Sequence, residues 1–194
     1  MAKTWKKGRG KLGFLQPLLG SWKAQAETPM GPVQCTREFT EVLGGNYVEL
    51  RARWTFGAPA KGAVAGGLEG ACDAAGSKSD AKSERLAKMR EAMSKYAGKT
   101  YEERALIGVG KDGAVNFWSF TSDGKNSSGV VADVSDLHPS AIGFEAQMDA
   151  GLARMAYWPD EEDDGDGFRW VVESKTKKGW RRFTEHRYSR IAAS

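Results

Sequence analysis

Short runs in which apolar and aromatic residues alternate with polar ones recur along most of the chain, and two-residue turn signals separate them. Alternation with a period of two sends one set of side chains to one face of an extended strand, so the pattern predicts β-strands. Ten are predicted, at residues 21–28, 33–42, 47–56, 101–109, 115–121, 128–134, 141–147, 152–158, 168–175 and 180–190. Asp112-Gly113, Asp123-Gly124, Gly44-Gly45 and Lys178-Gly179 supply residues that tolerate positive φ, as tight hairpins require. Consecutive hairpins give an up-and-down meander, and closing it removes two exposed edges that invite aggregation. The expected fold is therefore all-β, a closed antiparallel up-and-down barrel of ten strands.

The alternation lapses over residues 57–100. Through residue 76 the composition is rich in Gly and Ala and reads as loop, whereas residues 79–97 read as a helix with Ser77 or Ser79 as N-cap and Gly98 at its end. Leu86, Met89, Met93 and Tyr96 recur at three- and four-residue spacing, forming one narrow apolar stripe. Such a helix packs on the outside or rim of the barrel, or, hinged on the glycine-rich segment, covers an open end as a lid. The whole chain of 194 residues is read as one domain carrying this insertion.

Composition narrows the function classes. Hydrophobic residues make up 40% of the chain, with seven Trp and eight Phe, enough apolar surface to offset the entropy of ordering. The net charge of +4 gathers weakly, at Lys3, Lys6, Lys7, Arg9 and Lys11 and again at Arg181, Arg182, Arg187 and Arg190. No helix-turn-helix, zinc-finger or RNP pattern accompanies those charges, so no nucleic-acid partner is expected. No apolar run is long enough for a membrane span and no secretory signal pattern is present, so a cytoplasmic location is expected, with Cys35 and Cys72 as reduced thiols.

Residues 14–22 read Phe-Leu-Gln-Pro-Leu-Leu-Gly-Ser-Trp, a short helical turn leading into Gly20-Ser21-Trp22 at the first strand. This resembles the Gly-x-Trp opening of lipocalins and their calycin relatives. The resemblance implies that Gly20 and Trp22 belong to a plug at one barrel end, with Arg187 or Arg190 from the last strand packed across the Trp. Val42-Leu43-Gly44-Gly45-Asn46-Tyr47-Val48 looks like the hairpin after the second strand in a bacterial lipocalin-like family of domains of unknown function. The family resemblance implies a fold and no particular reaction.

Candidate chemistry centres on the last strand, where Thr184, His186 and Tyr188 share one face. In fatty-acid-binding proteins, which this chain resembles in outline, an Arg-x-Tyr pair on the last strand holds a ligand carboxylate; here His186 and Tyr188 stand at comparable places. With Trp54, Trp118 and Trp158 as aromatic wall, these residues form the candidate site for a small apolar or amphipathic molecule. The chain also resembles the nitrobindins, whose C-terminal histidine ligates haem iron, which implies a haem-binding or enzymatic alternative using His186. Those proteins follow the Trp with Gly-x-Gly where this chain has Ala24-Gln25-Ala26, so no cofactor is expected. A third alternative is an interaction scaffold with a filled barrel. The acidic run from Asp160 to Asp166 lacks EF-hand spacing and reads as a solvated, self-repelling loop. No nucleophile elbow, phosphate loop or His-Glu-x-x-His run appears, so no catalytic or metal-ligating residue is assigned.

Overall fold

The computed structural model describes residues 5–28, 31–57, 98–149, 151–162 and 166–192. The described residues build ten strands: β1 (Gly20–Thr28), β2 (Gly31–Val42), β3 (Tyr47–Phe56), β4 (Thr100–Val109), β5 (Val115–Thr121), β6 (Asn126–Ala132), β7 (Ile142–Met148), β8 (Gly151–Pro159), β9 (Phe168–Thr176) and β10 (Gly179–Arg190). Each pairs antiparallel with its neighbour in sequence, and β1 pairs with β10 to close the barrel. A 3-10 turn, Gly13–Leu18, precedes β1. The predicted helix over residues 79–97 and its lid role lie outside the described residues, as does Cys72. Among those residues no helix is long and apolar enough to cross a membrane.

The turns follow their sequences: Gly113, at φ +80°, takes the left-handed conformation that its Asp-Gly turn needs. The strand over 128–134 instead runs Asn126–Ala132, because Val134 leaves the sheet. Val134 packs on the outer wall against Ala156, Trp158 and Val171, joined by Leu137 and Ala141. Trp158, expected in the ligand wall, therefore stands outside the barrel.

Alternation along each strand sends the main core inward. At one end Leu15 and Leu18 of the 3-10 turn cover Trp22, whose indole Nε1 donates to the Leu18 carbonyl at 2.7 Å. Trp22 meets Phe168 edge-on at 4.8 Å, and Phe168 stacks on Tyr188 at 4.9 Å. The guanidinium of Arg190 lies 4.1 Å over the Trp22 ring and donates to the Leu19 carbonyl at 3.0 Å. Glycine is required at position 20 by a φ of +112°, and a Cβ there would also meet Arg190 Nη1 at 2.6 Å and push the guanidinium aside. Arg187 has a different position: its Nε donates to Asp160 at 2.6 Å on the outer wall. Asp160, Glu162 and Asp166 are paired with Arg169, Arg187 and Arg190, which corrects the expectation of a solvated, self-repelling loop.

Strand direction places the β1–β2, β3–β4, β5–β6, β7–β8 and β9–β10 connections at the end away from this plug. In sequence, residues 58–97 separate β3 from β4, and Gly98 N donates to the Phe56 carbonyl at 2.7 Å.

Candidate functional site

A β-bulge between Arg182 and Thr184 sets the inner face of β10. Ladder pairing matches Arg182 with Glu173 and then Thr184 with Val172, leaving Phe183 as the extra residue, exposed to solvent. Without that insertion the alternation would turn Thr184 outward. With it, Thr184, His186 and Tyr188 pair with Val172, Trp170 and Phe168 and share their inward face.

The centre of the interior is Arg37, a residue outside the expected candidate set. On β2 it continues the inward series Val33, Cys35, Arg37, Phe39, and it is 1% exposed. Its Nε donates to the Tyr188 hydroxyl and its Nη1 to the Tyr157 hydroxyl, each at 3.0 Å. The guanidinium lies 4.0 Å over Trp170 and 5.3 Å from the Trp54 ring centre. Trp170 stacks on His186 with ring centres 5.6 Å apart and planes 16° apart. The site therefore gathers residues from β2, β3, β8, β9 and β10 around one cation.

Electrostatics keep that cation charged and its neighbours neutral. Burial disfavours the charge on Arg37, but the Tyr157, Tyr188 and Glu103 side chains outweigh it. Guanidinium does not lose its proton at physiological pH in any case. Burial raises the Tyr157 hydroxyl to about 12, against the opposing pull of Arg37. Tyr188 is raised in the same way and for the same first cause. His186 is pushed below its ordinary value by burial and then by Arg37, with Glu185 opposing. Cys35, also buried, is raised to about 11 by desolvation and is an unreactive thiol at neutral pH.

Satisfaction of polar atoms in this cluster is incomplete. Arg37 Nη2, Trp170 Nε1 and His186 Nδ1 are buried with no hydrogen-bond partner among the described residues. Trp170 Nε1 lies near enough to the Tyr157 hydroxyl to favour its ionised form, yet forms no full hydrogen bond with it. Glu103 is close enough to influence Arg37 electrostatically, but its carboxylate accepts from the Ser119 hydroxyl at 2.6 Å and makes no described ion pair with Arg37. An unpartnered buried polar atom costs about 1–3 kcal/mol, and more when charged. Three such atoms in one ring-contact cluster are the pattern expected where a ligand completes the hydrogen bonding.

The remaining expected wall residues divide by strand phase. Trp54 faces the interior beside Arg37, and Trp118 does not: Phe117 takes the inward position on β5 while Trp118 packs on the outer face against Tyr47, ring centres 6.4 Å apart. The inner wall also carries short side chains on neighbouring strands, with Ala24, Ala52, Ala105, Ser119 and Ala146 all buried. A groove of about 210 Å³ at the plugged end is lined by Arg9, Lys11, Gln16, Glu41 and Asn46 and includes none of the Arg37 cluster.

Haem is a poor match to these residues. An axial imidazole must offer one ring nitrogen to the iron along an open flat face. Here His186 Nε2 contacts Thr184 Oγ1 at 3.1 Å, Nδ1 is enclosed, and Trp170 covers the ring.

Fold and interior together define a closed ten-stranded antiparallel barrel whose architecture is compatible with ligand binding. No known family model and no curated protein matches the chain.

Proposed function

We propose that this barrel binds a small amphipathic molecule in its interior, with the polar group against Arg37 and the apolar part along the wall that includes Trp54 and the inward alanines. The observation that carries this reading is the trio of buried, unpartnered polar atoms on Arg37, Trp170 and His186. A barrel serving only as a filled scaffold has no reason to retain them, because apolar replacements of similar shape are often neutral or stabilising. The bacterial lipocalin-like resemblance supports the same reading at the level of architecture, and a cytoplasmic binding role fits the reduced Cys35. Tyr157 and Tyr188 position the guanidinium, Trp170 and Trp54 bracket it, and Thr184 orients His186.

Native mass spectrometry of the protein purified gently from its own host tests the proposal. The expected result is a mass excess that disappears on denaturation, together with a change in tryptophan emission when the neutral dye Nile red is added. A bare native mass and an unchanged emission would favour the filled scaffold instead.

A further inference from the structure

We infer that the group received by this interior is a single carboxylate, held by Arg37 Nη2 and Trp170 Nε1, so that the ligand class is a monocarboxylic acid with an apolar chain. The inference rests on the interior-binding reading above and adds the chemistry of the anchoring group.

Charge is the first argument. Arg37 is enclosed, permanently cationic and without an ion pair among the described residues, whereas Arg154, the other buried arginine, has two carboxylates in contact. A neutral hydroxyl or amide placed against Arg37 would satisfy a donor and leave the guanidinium with no carboxylate in contact, only the more distant Glu103. Geometry is the second. Two nitrogens of Arg37 are engaged by Tyr188 and Tyr157, which fixes the guanidinium plane and leaves Nη2 as its bare nitrogen. Trp170 packs 4.0 Å beneath that guanidinium and brings into the cluster a second N–H, which neighbours the Tyr157 hydroxyl without a full hydrogen bond to it. Two N–H donors beside one positive charge suit the two oxygens of a carboxylate.

Glu103 limits the charge. It already acts on Arg37 from within the barrel, so a dianion such as a phosphate monoester would add repulsion that one cation does not offset. The three buried tyrosine and histidine groups contribute no further cation, because Tyr157 and Tyr188 are neutral phenols and burial disfavours the imidazolium of His186. The walls supply the other half of the specificity, since an alkyl or aryl chain gains about 25 cal/mol for each Å² that it buries.

Calorimetric titration of the full chain at neutral pH with decanoate and with decanol, each kept below its aggregation limit, separates the two levels of the claim. Decanoate is expected to bind about 10-fold or more tightly than decanol, the difference a charge-assisted contact makes. Arg37→Met should weaken decanoate about 30-fold and leave decanol nearly unchanged, and Trp170→Phe, which keeps the ring and removes the N–H, should weaken decanoate about 5-fold. Equal binding of the two probes, insensitive to both substitutions, would overturn the carboxylate while leaving interior binding intact. Should Arg37→Met fail to fold, Trp170→Phe decides on its own. Binding of neither probe would remove the interior-binding reading and this inference with it.

Discussion

Among the described residues three arginines lie over tryptophan rings, and they differ in how far each charge is answered. On the outer wall Arg154 sits 4.4 Å over Trp180, donates twice to Asp136 at 2.9 and 2.7 Å, and donates to Glu173 at 2.8 Å. Its charge is answered on two sides. At the plugged end Arg190 covers Trp22, reaches a backbone carbonyl, and lies 3.3 Å from Asp166. In the interior Arg37 covers Trp170 with two phenols for partners and one nitrogen left bare. Burial of an arginine is thus not in itself a sign of a site; the proposed function rests on burial without a carboxylate in contact among the described residues, as at Arg37.

Substitution of each arginine tests that contrast. Arg154→Ala should cost about 3 kcal/mol of stability in a urea titration, because it strands Glu173, a buried carboxylate left with Arg182 alone. Arg190→Ala should cost about 1 kcal/mol, the scale of one cation–π contact at a partly exposed site, and should raise amide exchange in the 3-10 turn and the start of β1. Arg37→Met should change stability by less than about 1 kcal/mol, since removing the desolvation cost of the guanidinium offsets the loss of two hydrogen bonds. A loss at Arg37 as large as that at Arg154 would make the interior cation a structural strut and erase the distinction.

A pH titration supplies the smallest effect. The folded His186 titrates below its ordinary value of 6.5, held down by burial and Arg37 against Glu185, with the neutral Tyr188 as its other titratable neighbour. Between the folded value and 6.5 the unfolded chain binds a proton that the folded chain refuses, so stability falls as pH drops through that window and levels off below it. In His186→Gln this part of the slope should vanish from the pH dependence of the urea midpoint; an unchanged slope would assign the titration to other groups.

Much of the barrel is legible in its sequence because alternation and turn chemistry are local. All ten strands begin and end within two residues of where the alternation and glycine turns put them, and β3 and β5 show no shift at all. The β6 boundary differs because Val134 is apolar for a contact across the outer wall, which no local period reports. Trp118 and Trp158 are equally apolar in composition, and only the strand phase, with Phe117 and Tyr157 inward, sends them outside. Local pattern does not choose between Arg187 and Arg190, since both lie near the end of the same strand; the choice depends on Asp160, a residue 27 positions from Arg187. Arg37 did carry a signal. It lies in phase with Val33, Cys35 and Phe39, and a charge on the apolar phase of a strand marks either a bulge or a buried cation.

The β1–β10 seam is short: two residue pairs, Trp22 with Arg190 and Lys23 with Ser189, where the β1–β2 ladder holds nine. All other ladders join strands that are consecutive in the chain, so they can zip one hairpin at a time. This last closure must bring together segments separated by nearly the whole length of the protein, and it cannot begin until β10 has been synthesised. Until then the meander presents two bare edges, the stage at which such a chain is open to pairing with a neighbour. The tryptophan that plugs the barrel and the arginine that covers it are partners across that same seam, so the folding step that arrives last is also the one that seals the end.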